Sequence, residues 1–392
     1  MLRKRIHLLR LSDILKITSR VIKWFSIKGS LFTILFVLSI TLTAQEGNIW
    51  HFGYQAGLDF SNNSITAITT GKMTSIDGCA TLCDAQGNLL FYSNGEQLWD
   101  KNHNITPNGA GLMGAASSCQ AATFITFPNN SNKIILATMD KIENTGNNGL
   151  RYNIIDLALN GGSGDIVAGQ KNILLYAPAC EKIVGIPHCN GDDVWLVSFQ
   201  LNTDTVISYQ MSLSGVKSRA TSNSGLALTG HLDINLGYSK TSDDKTKIAS
   251  VHYLVSKVLY MDFDNGSGKV KNVIQWSVPN PNGVEFSPDN KLMYVAGFRN
   301  PAAIFQYDIT LTTGAAIKSS EKTIFTFSGY DIGALQRGPN GKIYLAKNNQ
   351  SYLGVINKPN LLGGLCDFVS DGINLNGKKS AYGLPNIYFS NN

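Results

Sequence analysis

The chain lacks most of the short motifs that announce a reaction. There is no Gly-x-Ser-x-Gly elbow, which removes the nucleophile turn of a serine hydrolase. No glycine-rich phosphate loop opens a helix, since "NGGSGDIVAG" (160–169) sits between β-like runs and reads as a turn. The six histidines include no His-x-His or His-x-x-x-His pair. Cys79 and Cys83 have no second close cysteine pair, so finger-like zinc spacing is missing. Basic surface is missing as well, once the charge is located. The net charge of +6 comes from 33 basic and 27 acidic residues. Residues 1–44 supply eight of the bases (Arg3, Lys4, Arg5, Arg10, Lys16, Arg20, Lys23, Lys28) and one acid, Asp13, leaving 25 against 26. A remainder at −1 offers nothing to track a phosphate backbone, so no nucleic-acid partner is expected.

What the first 44 residues do contain is an export signal in outline. A long basic stretch precedes "SLFTILFVLSITLTA" (30–44), an apolar run of signal-peptide length that ends in small residues. The run is short for the roughly 20 apolar residues of a membrane span. The expected organisation is therefore a signal peptide with a long basic n-region over 1–44 and one domain over 45–392. Left uncleaved, the leader would be the protein's only link to a membrane. The expected location is periplasmic, cell-surface or extracellular.

The remainder is rich in glycine (38) and poor in proline (11), with Val, Ile, Thr, Tyr and Phe recurring in short runs, which favours an all-β fold. One pattern recurs. "GVEFSPDNKLMYVAG" (283–297) is an apolar strand, a turn at Ser287-Pro288-Asp289-Asn290, and a second apolar strand. The same pattern appears at 80–95, 122–138, 185–199, 236–251 and 333–347, with turns built from Pro, Asn, Asp, Ser and Gly. Those residues accept the positive φ of tight hairpins or pre-set the first turn position. The markers Asp84, Pro128, His188, Asp243, Pro288 and Pro339 are spaced by 44, 60, 55, 45 and 51 residues. Such a period fits four-stranded antiparallel sheets stacked around an axis. A seventh unit is expected from the ends, "NIWHFGYQAGLDFS" (48–61) and "AYGLPNIYFS" (381–390). The predicted fold is an all-β propeller of seven four-stranded blades, with N- and C-terminal strands sharing the closing blade.

The hairpin "FSPDNKLMYVAG" resembles that of WD40-like and lactonase-like propellers. The run "NIWHFGYQAGLDF…DGCATLCDAQGNLLFYSNGEQLWDKNHNITPNGAGLMG" is similar to the N-terminal propeller domain of secreted Bacteroidetes surface proteins, which are associated with gliding motility or type IX secretion. The resemblance spans residues 47–392. It implies an exported module that binds or scaffolds at the cell surface without catalysis, with a protein or glycan as ligand. In that family further modules and a sorting domain commonly follow the propeller, whereas this sequence stops at Asn392.

A propeller's usual binding face is where loops enter the innermost strands. Those loops carry Asp77, Gln120, Glu181, Lys182, His231, Asp233, Asn282, Tyr330 and Asp331, a candidate polar ring around one mouth. A second reading takes Glu181, His231, Asp233 and Asp331 as ligands of a divalent metal in a hydrolase or lactonase. A ring of wet strand ends requires no cofactor, and that is the expectation, with the protein acting as a monomer. Six cysteines follow the leader, and export permits disulfides. Cys119 and Cys180 hold similar places, nine and eight residues before their markers, so a 119–180 bridge is one expectation, with 180–189 and 79–119 as competitors. Trp50, Trp99, Trp195 and Trp276 are expected to fill the space between blades. The Asn-rich segment 138–153 is expected to be a hairpin excursion at the rim.

Overall fold

The computed structural model describes residues 45–388 except 63, 128–129, 145–146, 228–235 and 300. The leader, His231 and Asp233 lie outside the described residues. Seven antiparallel sheets follow one another along the chain. The first blade is β1 (Ile49–Phe52), β2 (Ala56–Asp59) and β3 (Thr66–Ile68). The second is β4 (Ala80–Cys83), β5 (Leu89–Ser93), β6 (Gln97–Asp100) and β7 (Ile105–Ala110). In the third, β8 (Ala122–Phe127), β9 (Asn130–Met139), β10 (Leu150–Asp156) and β11 (Asp165–Ile166) are joined by β12 (Ile173–Tyr176), which also pairs with β10. The fourth is β13 (Val184–Pro187), β14 (Val194–Phe199), β15 (Thr205–Ser212) and β16 (Gly215–Asn223). The fifth is β17 (Ser239–Thr241), β18 (Lys247–His252), β19 (Lys257–Asp264) and β20 (Lys269–Ser277). The sixth is β21 (Pro281–Phe286), β22 (Leu292–Gly297), β23 (Ala302–Asp308) and β24 (Lys322–Phe327). The seventh is β25 (Ile332–Arg337), β26 (Ile343–Lys347), β27 (Tyr352–Ile356) and β28 (Phe368–Asn374).

All six recurring hairpins form the first two strands of a blade, and their turn chemistry is the reason. In five of them, the N–H of the third residue after the turn's first residue donates back to that first residue's carbonyl at 2.9–3.1 Å. The donor is Gly87, Gly191, Lys245, Asn290 or Gly341, and each has a φ between 56° and 85°. Glycine and asparagine adopt that region most cheaply, which explains four of the five residues; in the fifth turn Lys245 takes it. Burial then grades outward. The first two strands of the sixth blade are buried at every residue, whereas its fourth strand, β24, is exposed at four of six. Blade faces packed on both sides need apolar residues throughout; the rim strand needs them on one face only. The four expected tryptophans are all buried.

The first and last described segments meet beside the first blade. Tyr54 bridges both Thr74 and Lys379. Beyond it the C-terminal segment runs between the innermost strands of the flanking blades. Tyr382 accepts from the Ala334 N–H of β25 at 2.7 Å, and the Asn386 N–H donates to the Cys79 carbonyl at 2.7 Å. The tail thus takes the inner position of the three-stranded first blade. Backbone touches backbone here. A Cβ on Gly333 would sit 2.0 Å from the Tyr382 carbonyl oxygen, and one on Gly383 would sit 1.8 Å from that of Asp77. The tail ends with Tyr388 against Gly185 of β13.

Candidate functional site

Connections into the first strand of a blade, and from its second strand to its third, emerge on one face, the loop face. Near the axis they surround a cavity of about 340 Å³. Asp77 reaches it from the loop before β4, and Asn282 from a bulge in β21 that interrupts the register between Pro281 and Gly283. A bulge turns a strand residue away from its ladder, and here it turns Asn282 to the cavity. Tyr253 directly follows β18, Phe298 and Arg299 directly follow β22, and Tyr382 comes from the tail. Glu143, between β9 and β10, completes one side, so segment 138–153 is the expected hairpin but reaches the mouth instead of staying at the rim.

The site combines an apolar wall with polar groups that are not fully used. Tyr253 packs edge-on to Phe298 at 5.5 Å between ring centroids, and Phe298 packs on Tyr382 at 5.2 Å. The Arg299 guanidinium lies 3.9 Å from the Phe298 ring centre and pairs with Asp331 at 3.3 Å. Its Nε has no hydrogen-bond partner, and neither does Oδ1 of Asn282, a residue only 6% exposed. Buried polar atoms are almost always paired, so orphans beside a cavity mark where a ligand's own groups would be welcome. Asp77 is the opposite case. Tyr238 donates its hydroxyl to Oδ1 at 2.5 Å. Burial pushes the carboxyl up to about 7, against the pull of hydrogen bonds from Tyr238 and Cys119.

The remaining predicted residues divide. Tyr330 and Asp331 line a second, more open depression beside the mouth, and Arg299 is common to both. Gln120, Glu181 and Lys182 are fully buried in the wall below. Gln120 stitches three blades: its Nε2 donates to the Ile183 and Ser239 carbonyls at 3.0 and 3.2 Å, and its Oε1 accepts from the Ser239 N–H at 2.9 Å. Glu181 accepts from the N–H groups of Cys119 and Ile142 at 2.7 and 2.6 Å, and burial lifts its carboxyl to about 8. Burial likewise lowers the Lys182 ammonium. Among the described residues no three His, Cys, Asp or Glu side chains come together as a metal would need. Sequence reasoning missed Tyr253, Phe298 and Arg299 because it followed only the loops entering first strands. The position after the second strand repeats with the same period and would have found them.

The expected Cys119–Cys180 disulfide is not formed, nor are its competitors; no disulfide joins any of the six cysteines. The two sulfurs point into different parts of the interior. Cys119 packs with the residues around Trp50, and its Sγ accepts from the Gly237 N–H at 3.3 Å, whereas Cys180 packs with Ile142 and Phe199.

No family model matches the chain, and no curated protein matches it. Solved structures do. A candidate 6-phosphogluconolactonase from Bacteroides uniformis is 13% identical with a TM-score of 0.51, over 84% of this chain and 98% of that one. A second from Bacteroides fragilis is 11% identical with a TM-score of 0.49, over 88% and 98%. The periplasmic gluconolactonase of Pseudomonas aeruginosa is 10% identical with a TM-score of 0.42, over 79% and 78%. The chain is a seven-bladed propeller. At these identities the likeness is one of fold, and propellers host unrelated activities.

Proposed function

We propose that this propeller is an exported binding module that takes its ligand at the loop-face mouth and performs no chemistry on it. Export is supported by the basic stretch and apolar run of residues 1–44, in which the apolar segment ends in small residues. Binding rests chiefly on one observation: an aromatic-walled cavity beside which Asn282 Oδ1 is buried and unpartnered. Among the described residues nothing at the mouth supplies an activated nucleophile, and the acid closest to one, Asp77, is held by the Tyr238 hydroxyl. The proposed ligand-facing set is Asp77, Asn282, Tyr253, Phe298 and Arg299, with Tyr330 and Asp331 extending it. Gln120, Glu181 and Lys182 carry the wall.

The test is thermal unfolding of the full chain against panels of glycans, peptides and lactones, with and without EDTA. A ligand at about 100 times its Kd raises stability by roughly 2.7 kcal/mol. The expectation is an upward shift with one class of ligand, its loss in Tyr253→Ala, and no shift with EDTA. A fall with EDTA, restored by one divalent ion, would replace this reading with a metal site. The rival reading is a lactonase, supported by the fold shared with the Bacteroides uniformis protein. Its test is proton release from gluconolactone in a pH-stat, where turnover above the spontaneous rate would overturn the non-catalytic reading.

A further inference from the structure

We propose that the mouth selects an uncharged, polyhydroxylated ring, the end of a neutral saccharide, over a phosphorylated sugar. This rests on the reading of the mouth as a binding site. The charges around the cavity carry the argument. Among the described residues that line it, two are acids, Asp77 and Glu143, and one is a base, Arg299, which Asp331 already engages at 3.3 Å. A phosphate is held by converging cations, backbone N–H groups or helix N-termini, and among the described residues no second lysine or arginine lines this cavity. Glu143 would face a phosphate dianion with like charge.

A neutral sugar meets the same surface well. The row Tyr253–Phe298–Tyr382 offers an aromatic wall for the C–H face of a pyranose. A hydroxyl both donates and accepts, and two residues lining the mouth each carry a buried atom without a partner: Asn282 Oδ1, an acceptor, and Arg299 Nε, a donor. A phosphate dianion offers only acceptors, so placed against Asn282 Oδ1 it leaves that oxygen unpaired, whereas a sugar hydroxyl donates to it. With one hydroxyl on each, the saccharide removes both orphans at once.

The experiment is isothermal titration of the full chain with a panel of neutral disaccharides and, separately, with 6-phosphogluconate and glucose 6-phosphate. Neutral saccharides should bind at least tenfold tighter than either phosphorylated sugar. Asn282→Ala and Tyr253→Ala should each weaken them at least tenfold, and Tyr253→Phe, which keeps the ring, should restore binding. Circular dichroism would show that each variant folds. Tighter binding of a phosphorylated sugar, lost in Tyr253→Ala, would overturn the ligand class and leave the mouth standing as the site. Saccharide binding unchanged by both alanine variants would move the ligand elsewhere and overturn the reading of the mouth as well. No binding of any sugar would overturn the ligand class, and the peptide arm of the unfolding screen would then judge the mouth by itself.

Discussion

Five described charged residues line a depression near the axis at the turn face, where first strands run into their hairpin turns, against three at the mouth, and the two sets behave in opposite ways. At the turn face the space is about 40 Å³, against about 340 Å³ at the mouth. Its charges answer one another. Both guanidinium nitrogens of Arg337 reach the Asp243 carboxylate, Glu285 accepts from the Arg337 N–H at 3.0 Å, and Lys240 donates to Gln336 and lies 3.9 Å from Glu285. The mouth keeps an orphan acceptor and an orphan donor beside open space. Charge density alone would have ranked the turn face first. Room together with unpaired polar atoms is what separates a site from a well-made plug.

The change with the largest expected effect strikes both ends, because the tail is their common wall. Gly333→Ala pushes a Cβ into the Tyr382 carbonyl, from which the tail continues to Tyr388 at the turn face. A loss of more than about 3 kcal/mol is expected by urea unfolding, with ligand binding lost alongside. An unchanged midpoint would show that the tail is not needed for closure. Next comes Glu285→Ala, which strips a partner from Lys240 and from the Arg337 N–H. It should cost about 3 kcal/mol while leaving ligand affinity at the mouth intact. A parallel fall in affinity would mean that the two ends are coupled.

Six of the seven blades were legible because each opens on an apolar hairpin with a turn rich in Pro, Asn, Asp and Gly, and in five of them the turn places a residue at positive φ. The first blade was legible only as the unit left over at the two ends of the sequence. Its hairpin turns at Gly53-Tyr54-Gln55 without the shared marker, and its inner position is filled by residues more than 300 positions away. Residue type could not separate Asn282, turned out by a bulge, from Gln120, turned in to stitch three blades. Both are buried amides, and only their partners differ. Cys119 and Cys180 hold equivalent places in the repeat, yet each sulfur is committed to its own packing cluster.

A subtler contrast is in pH. The Asp77 carboxyl titrates near 7 when folded and near 4 when unfolded, so the folded state holds a proton that the unfolded state has released. Its contribution therefore falls as pH rises from about 4 to about 7, then stays constant. Asp77→Asn removes that dependence, so the variant should gain on the wild type across this interval by up to several kcal/mol. A difference flat in pH would place the titration elsewhere, with Glu181, held near 8 by the same cause, the first to substitute. The smallest expected effect is that of Asn282→Ala on the free protein. Because its Oδ1 has no partner to lose, stability should change by less than about 1 kcal/mol. A larger loss would show that the side chain holds the fold and is not kept for a ligand.

The tail also sets an order of events in the life of the molecule. Tyr388 packs on Gly185, and the Asn386 amide donates to the Ile183 carbonyl across 203 positions of sequence. A chain delivered N-terminus first can therefore fold blades two to seven one after another, while the first waits with its inner flank bare. Contacts so distant in sequence form slowly. During that interval a holdase would find its client open at one known seam, between β25 and β4.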